Sequence, residues 1–276
     1  MRFYLGTPEP SWLRRAVRLP LFVSRNRLVR LARLPRARTP WALDSGGFHQ
    51  ITAHGRWFID AATYCADVAR YDQEIGGMEW AAPMDWMAEA KALWRSGLSA
   101  VEHQARTVEN YLELRELWPQ FSDDTCPIMP VVQGDPTVAP DAPGGHLACV
   151  TRYAAAGVDL AAANLVGLGS VCRLESTERI VDTVSAVVAA VPGIALHGFG
   201  VASRGLARVG HLLASADSQS WSYGGRYDAD LVRTDACTHA GTCNWCSRHA
   251  LRWRNAVLDI AGQPRDLARF PEHDAA

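Results

Sequence analysis

Three aspartates carry the strongest chemical signal in this chain, because each follows a short apolar run that is typical of a buried strand. They are Asp44, Asp85 and Asp217. Cleavage of a glycosidic bond needs one carboxylate that attacks the sugar carbon and another that transfers a proton. Three carboxylates fill these two roles and leave one to hold a ligand. The pattern therefore predicts chemistry at a sugar carbon.

Residues suited to holding a flat ligand occur after other apolar runs. The side chain of Gln133 offers both a donor and an acceptor, which suits the edge of a nucleobase. Glycines at positions 46, 47, 167 and 169 would let such a ligand approach the backbone. Four aromatic side chains are candidates for stacking on a base, although each taken singly is more often part of a core: Phe48, Trp86, Phe199 and Trp221.

A metal-binding pattern lies near the C-terminal end of the sequence. Cys237, His239, Cys243 and Cys246 form a C-x-H-x3-C-x2-C arrangement. Three cysteines and a histidine match a closed tetrahedral zinc site, which is structural because no position stays open for catalysis. His249 is the alternative fourth ligand, and we favour His239 because it lies inside the loop. Free thiols near the surface are the other interpretation.

The elements that must position these residues alternate regularly along the chain. Eight strand candidates are separated mostly by segments of helical spacing, and they lie at 3–5, 19–23, 41–43, 78–82, 128–132, 164–166, 194–197 and 212–215. This alternation predicts an α/β fold, a (β/α)8 TIM barrel, with a doubly wound open sheet as the alternative. The strand C-termini of such a barrel converge on one mouth. We therefore expect Asp44 and Asp217 to face each other across a single cavity.

The predicted organisation has three parts. The catalytic barrel occupies residues 1–230, a small zinc-binding insertion and helix occupy 231–262, and a C-terminal tail occupies 263–276. The barrel length is ordinary for this fold, which commonly uses about 250 residues.

Composition indicates the environment of the protein. The formal net charge is −1, yet the segment from Ser11 to Leu43 holds nine arginines and no acidic residue. This run is either a solvated basic face or an edge that tracks phosphates. No segment approaches the roughly 20 apolar residues of a membrane span, and the start does not resemble a signal peptide. Singly scattered cysteines fit a reducing compartment, so we expect a cytoplasmic protein without a membrane partner.

The sequence resembles the tRNA-guanine transglycosylase superfamily at these motifs. Leu43-Asp-Ser-Gly-Gly-Phe48, Pro130-Val-Val-Gln-Gly134 and Val166-Gly-Leu-Gly169 occur in the order of that superfamily, followed by the cysteine cluster. Several stretches look closer to its DpdA-like branch, which exchanges guanine for 7-deazaguanine bases in DNA. They are Ala82-Pro-Met-Asp-Trp86, the helix from His103-Gln104 to Asn110, Gly167-Leu-Gly-Ser-Val-Cys172, His197-Gly-Phe-Gly200 and Ser215-Ala-Asp-Ser218.

The resemblance implies a role for each candidate residue. Asp217 would be the nucleophile that forms a covalent aspartyl-glycosyl intermediate, and Asp44 would be the general acid/base. The base-recognition residues would be Ser45, Gly46, Asp85, Gln133, Gly167 and Leu168, with Gly200 and Val201 closing one wall. The structural zinc ion would be held by Cys237, His239, Cys243 and Cys246.

The acceptor and the base are left open by the sequence. The wider spacing of the metal ligands and the short chain favour DNA over tRNA, and a base such as 7-cyano-7-deazaguanine would be the small-molecule substrate. Exchange on tRNA is the alternative, and a homodimer is left open. A non-catalytic nucleic-acid-binding barrel is an alternative of another class. A zinc hydrolase would need histidine-rich strand ends, for which His197 is the only good candidate.

Overall fold

The computed structural model describes residues 1–174, 177–227, 233–235, 237, 239–265 and 268–270. The strands of this part of the chain are β1 (Arg2–Thr7), β2 (Leu21–Ser24), β3 (Trp41–Asp44), β4 (Met78–Ala81), β5 (Val131–Val132), β6 (Val166–Leu168), β7 (Leu196–Gly198) and β8 (Ser215–Ser218). They form one parallel sheet in the order β4-β3-β2-β1-β8-β7-β6-β5.

The sheet curls until its two edges meet. Ala81 at the end of β4 forms a parallel bridge with Ile128. The Ala81 N–H donates to the Pro127 carbonyl over 2.9 Å, and the Met129 N–H donates to the Ala81 carbonyl over 3.0 Å. This contact joins β4 to the segment that leads into β5. The sequence-based prediction of a TIM-type α/β barrel is therefore confirmed.

Helices follow most strands and pack outside the barrel. They are α1 (Trp12–Arg15), α2 (Arg25–Leu28), α3 (Gly47–His54), α4 (Ala61–Ile75), α5 (Ala90–Ser96), α6 (Ala100–Leu117), α7 (His146–Ala155), α8 (Arg179–Ala190), α9 (Ser203–Val209), α10 (Ser220–Tyr227) and α11 (Ser247–Ile260). The two longest of the described helices, α4 and α6, begin at polar caps. Asp60 accepts the Thr63 N–H ahead of α4, and Ser99 forms a capping box with Glu102 at the start of α6.

Side chains alternate between the barrel interior and the helical layer, as strand geometry requires. Phe3, Leu5 and Leu43 belong to the core between strands and helices. The interior holds a separate cluster of Tyr4, Ala42, Trp80, Ala82, Met129 and Val131, with Phe22, Leu165 and Phe199 packed against it. Side chains two residues apart on a strand face the same side of the sheet. Asp44 therefore faces the barrel interior like Ala42, and Gln133 faces it like Val131.

Boundaries differ from the predictions mainly at the last strand. The prediction of 212–215 was wrong: residues Gly210–Leu212 form a 3-10 helix, and β8 runs from Ser215 to Ser218. Asp217 is therefore inside the strand rather than beyond it, where its neighbours in β1 and β7 fix its orientation. Part of the predicted C-terminal tail, residues 266–267 and 271–276, lies outside the described residues. No helix in the described ranges is both long and apolar enough to cross a membrane.

Candidate active site

One cavity of about 810 Å³ opens where the strands end. Asp44, Asp85 and Asp217 all line it, together with Gln133 and Gly200. The volume falls in the range of small-molecule sites, about 300–1,000 Å³. The barrel therefore brings together three carboxylates that are separated by up to 173 positions in the chain, from 44 to 217.

Asp217 is held by a neighbour on β7 and another just after that strand. Its Oδ1 accepts the Gly200 backbone N–H over 3.0 Å and lies 3.2 Å from Nε2 of His197. The side chain is buried, with 6% of the residue exposed, yet it lines the cavity. One oxygen of this carboxylate is thus fixed by the barrel wall.

Asp44 ends β3 on the opposite part of the rim. Its Oδ1 accepts the Gly46 N–H over 3.0 Å, a turn that Gly46 permits with a φ of +77°. Burial raises the pKa of the Asp44 carboxyl, the hydrogen bonds from Gly46 and Ser24 oppose that rise, and the charge of Asp217 adds to it. The charge of Asp217 therefore acts on the Asp44 carboxyl through the cavity that both residues line.

Asp85 lies deeper and is part of a hydrogen-bonded chain. Nε2 of Gln133 donates to its Oδ2 over 2.5 Å, and Oε1 of Gln133 accepts the Ser170 hydroxyl over 2.8 Å. Ser170 in turn accepts the Ala88 backbone N–H over 2.9 Å. Burial raises the pKa of Asp85 to about 7, although the Gln133 hydrogen bond opposes the shift. The Asp85 carboxyl can therefore change its protonation state near neutral pH.

The backbone around Gln133 is fixed from beneath. Nε2 of the fully buried Gln104 lies 2.9 Å from the carbonyl oxygens of Gln133, Gly144 and Gly145. Gly169 packs directly against Gln133, since a Cβ at that position would come within 2.3 Å of the Gln133 amide. The amide of Gln133 is thus held in one orientation. A fixed amide presents its donor and its acceptor at defined positions, as selective binding of a polar ligand requires.

Some predicted base-contacting residues stand behind the cavity wall. Ser45 and Gly200 line the cavity, whereas Gly46, Gly167 and Leu168 are not among the described residues that do. Leu168 points outward into the helical core, and the interior neighbours of Gly167 are Phe199, Val131 and Met129. The next two residues, Gly169 and Ser170, take the places at the cavity.

The aromatic candidates divide into two pairs. Phe48 and Phe199 line the cavity, and Phe48 is 46% exposed. Trp221 instead stacks on Trp12 at 5.4 Å and donates its indole N–H to the Gly6 carbonyl. Trp86 is buried, with Arg106 over its ring at 4.7 Å. Only Phe48 and Phe199 of these four are placed to stack on a base in the cavity.

Glu89 and Cys172 are among the polar cavity residues that were not predicted from the sequence. Glu89, 6% exposed, accepts the thiol hydrogen of Cys172 over 3.2 Å, and both line the cavity. Burial, reinforced by the Glu89 charge, raises the pKa of the Cys172 thiol to about 12, so the thiol stays protonated. Both residues lie in loops rather than directly after an apolar run, so hydrophobic periodicity gives no signal for them.

The arginine run does not form one surface. Arg25 is buried and paired with Asp67 over 2.5 Å, and Arg36 donates to the Gln73 carbonyl beside the start of β4, away from the mouth. Arg27 is exposed and lines the cavity, as does Arg226 at the end of α10. Only part of the predicted phosphate-tracking edge is therefore at the mouth.

The metal-binding pattern folds into a compact cluster. The ligand atoms of Cys237, His239, Cys243 and Cys246 all lie within 4.8 Å of one another. The Sγ atoms of Cys237 and Cys243 are 3.8 Å apart, and those of Cys246 and Cys237 are 3.9 Å apart. A tetrahedral zinc ion with bonds of about 2.3 Å separates its sulfur ligands by about 3.8 Å. The four residues therefore fit a metal ion.

His249 is turned away from this cluster, as the preference for His239 requires. Its Nε2 lies 3.1 Å from the Trp221 carbonyl, while its backbone N–H points to Sγ of Cys246. The cluster also braces the cavity wall. The Cys243 N–H donates to the Gly225 carbonyl over 3.0 Å, and Ser222 donates to the Asn244 carbonyl over 2.8 Å. These bonds tie the metal loop to α10.

Comparisons with known proteins place the chain in a family. A family model described as DpdA, DeoxyPurine in DNA protein A, matches residues 1–270. A search of curated protein sequences found no match. A solved structure of a protein assigned as a fructose-1,6-biphosphate aldolase, from Coccidioides immitis, aligns with a TM-score of 0.47 and 7% identity, covering 95% of this chain and 89% of that one. The metallated homocysteine methyltransferase MmuM from Escherichia coli aligns with a TM-score of 0.31 and 15% identity, covering 72% and 88%. Both structural similarities are too distant to bear on the activity.

Proposed function

From the premise that this chain belongs to the DpdA family, DeoxyPurine in DNA protein A, we propose that it exchanges guanine for a 7-deazaguanine base in DNA. Membership supports a DNA 7-deazaguanine transglycosylase-like enzyme in general. The observation that carries the specific proposal is the placement of Asp44 and Asp217 on one cavity with Asp85 and Gln133. These residues supply a nucleophile, a proton carrier and a polar base-binding edge.

The first half of the reaction removes guanine. A carboxylate oxygen of Asp217 attacks C1′ of the deoxyribose, and the bond from C1′ to N9 breaks with its electron pair leaving on guanine. Asp44, whose pKa is raised by burial, donates the proton that the departing base requires. The products are neutral guanine and an ester between Asp217 and C1′. No external energy source is needed, because one glycosidic bond replaces another.

The second half reverses these roles. Asp44, now ionised, accepts the proton of the incoming base at N9, and that nitrogen attacks C1′. The bond from C1′ to the Asp217 oxygen breaks, which restores the carboxylate. Because both displacements invert the carbon, the sugar configuration is retained. A base such as 7-cyano-7-deazaguanine would be the incoming substrate.

The base would be recognised by the chain of Asp85, Gln133 and Ser170. Their mutual hydrogen bonds fix which oxygens and N–H groups face the ligand. Ser45 and Gly200 would complete the walls, with Phe48 or Phe199 stacking on the ring. The target guanine would have to leave the DNA stack, at a cost of a few kcal/mol. Arg27 and Arg226 at the rim would offset that cost by binding phosphates.

The metal is proposed to be a structural zinc ion. Cys237, His239, Cys243 and Cys246 would fill all four positions, which leaves none for substrate. Because the loop is bonded to α10, the ion would stabilise the cavity wall that contains Ser222 and Arg226.

Replacing one ligand tests this assignment. Cys243→Ser should reduce the zinc content from one ion per chain to near zero and lower the melting temperature, with a loss of several kcal/mol in stability. Zinc is measured by atomic absorption and stability by calorimetry. Cys126→Ser, outside the cluster, is the matched control and should keep its zinc. A Cys243→Ser protein with full zinc content would contradict the proposed ligand set.

Base exchange is tested directly with labelled substrate. The purified protein is incubated with labelled 7-cyano-7-deazaguanine or guanine and either duplex DNA or tRNA, followed by nucleoside mass spectrometry. Incorporation into DNA supports the proposal. Incorporation into tRNA alone would replace DNA by tRNA as acceptor. Binding of DNA without any exchange would favour the non-catalytic barrel instead. Cytoplasmic location and a homodimer stay predictions.

A further inference from the structure

His197 occupies a position that the proposed reaction leaves unassigned. It belongs to β7, its side chain is 0% exposed, and it is not among the described residues that line the cavity. Nδ1 lies 2.9 Å from the Ser215 hydroxyl, and Nε2 lies 3.2 Å from Oδ1 of Asp217. Both ring nitrogens are therefore occupied, one by a residue two positions before Asp217 and one by Asp217 itself.

The ring is surrounded by aromatic side chains. Its centroid lies 4.5 Å from that of Trp80, 4.8 Å from Phe199, 6.0 Å from Tyr4 and 6.1 Å from Phe22. Water has no access to a fully buried ring in this cage, and rotation of the ring would break both hydrogen bonds. Such packing fixes the imidazole more tightly than a surface histidine could be fixed.

The two partners of the ring suit one tautomer of a neutral imidazole. Toward an ionised carboxylate, which only accepts, Nε2 would be the donor. Nδ1 of a neutral ring would then accept the hydrogen of the Ser215 hydroxyl. Ser215 and Asp217 are both inward residues of β8, so a single strand positions both hydrogen-bond partners of the His197 ring.

We propose that His197, oriented by Ser215, is a positioning residue for the nucleophile Asp217. The inference rests on the proposed function. His197 and the Gly200 N–H both bind Oδ1, while Oδ2 accepts no hydrogen bond from the described residues. Oδ2 is thereby left as the atom that attacks C1′.

The same arrangement serves both displacements. Asp217 must be a nucleophile in the first and a leaving group in the second. A neutral donor on Oδ1 stabilises the carboxylate each time it reforms, and it prevents the side chain from rotating between the two steps. Fixed geometry of this kind affects turnover more than it affects substrate binding.

The first test compares three variants by their kcat and KM values in base exchange. His197→Met fits an aromatic cage but removes the donor, so kcat should fall on the order of 10²-fold with little change in KM. His197→Gln keeps an N–H at a similar reach and should recover most of that loss. Ser215→Ala leaves the ring free to change tautomer and should fall between the two. A folded His197→Met protein with normal kcat, or a Gln variant as slow as the Met variant, would overturn the inference.

A second measurement does not depend on turnover. In ¹⁵N-edited NMR spectra with His197→Gln as the assignment control, wild-type His197 should show the neutral tautomer protonated at Nε2. Ser215→Ala should produce a mixture of tautomers. If the wild type fails to exchange base but shows this tautomer, the proposed function fails and the hydrogen-bond arrangement stands. A ring protonated at Nδ1 or charged at neutral pH would contradict the inference even in an active enzyme.

Discussion

The carboxyl groups on the two sides of the cavity differ in their hydrogen bonding. On the β3–β4 side, burial dominates, and it raises the pKa of both Asp44 and Asp85. On the β7–β8 side, Asp217 is also buried, and its contacts with the Gly200 N–H and with Nε2 of His197 both involve a single oxygen. The first environment favours a carboxyl that carries a proton. The second leaves Asp217 with one oxygen that is hydrogen-bonded and one that accepts no hydrogen bond from the described residues.

This difference supports the separate roles that we propose for Asp44 and Asp217. Carboxyl groups whose surroundings differ in this way divide into proton carriers and nucleophiles or electrostatic stabilisers. The assignment of Asp44 to proton transfer and Asp217 to attack follows that rule.

Removal of the nucleophile should give the largest effect. Asp217→Asn should reduce exchange on the order of 10⁴-fold or more, because no covalent intermediate can form. Circular dichroism and thermal melting should show an intact fold. Asp123→Asn, an exposed carboxylate away from the mouth, is the matched control. Turnover near the wild-type level in the Asp217 variant would eliminate the proposed mechanism.

Loss of the proton carrier should have a smaller and correctable effect. Asp44→Asn should slow exchange by about 10²–10⁴-fold while DNA binding is kept. DNA that contains 7-methylguanine supplies a cationic base that leaves without being protonated, so base release should recover in the Asp44 variant. It should not recover in Asp217→Asn. Equal recovery, or none, in both variants would mean that the two sides of the cavity do not divide the chemistry.

Asp85 should make folding stability depend on pH. An unfolded aspartate titrates near 3.9 and the folded one at about 7, so the folded state holds the proton over that interval. The free energy of unfolding should therefore fall as the pH rises from about 4 to about 7 and level off above, by a few kcal/mol. Urea denaturation at pH 5 and pH 8 should show a flatter dependence for Asp85→Asn. Parallel profiles for the two proteins would show that burial of this carboxyl is not the cause.

The smallest effect is expected at the rim. Arg27→Ala should weaken DNA binding a few-fold and reduce the salt dependence of binding by about one phosphate contact. Arg36→Ala removes the same charge beside the start of β4, where it is bonded to the Gln73 carbonyl. Binding isotherms at several salt concentrations measure both. An equal loss in the two variants would mean that the arginine run acts as a whole rather than only at the mouth.

Predictions from the sequence succeeded where a pattern is local. The alternation of strands and helices predicted the barrel, and the spacing of Cys237, His239, Cys243 and Cys246 predicted a cluster that fits a metal ion. Both depend on residues that are neighbours in the chain. The boundary of the last strand was missed because its residues, Ser215-Ala-Asp-Ser218, are small and polar and lack the apolar signal of a buried strand.

The residues of the cavity wall were harder to predict, because successive residues of a strand face opposite sides of the sheet. A shift of one or two residues in a strand decides whether Gly167, Leu168 or Gly169 faces the cavity, and apolar runs do not fix that register. Glu89 and Cys172 come from loops that meet only in the folded barrel. No sequence spacing links them.

The residue types available for chemistry and the order of the strands and helices that carry them can be read from the amino-acid sequence alone. Which carboxylate oxygens are bonded and which are free depends on the closed sheet and on pairs such as His197 with Asp217. Hydrophobic periodicity is a property of each segment separately. The protonation and orientation of a carboxylate are set by atoms that arrive from other strands.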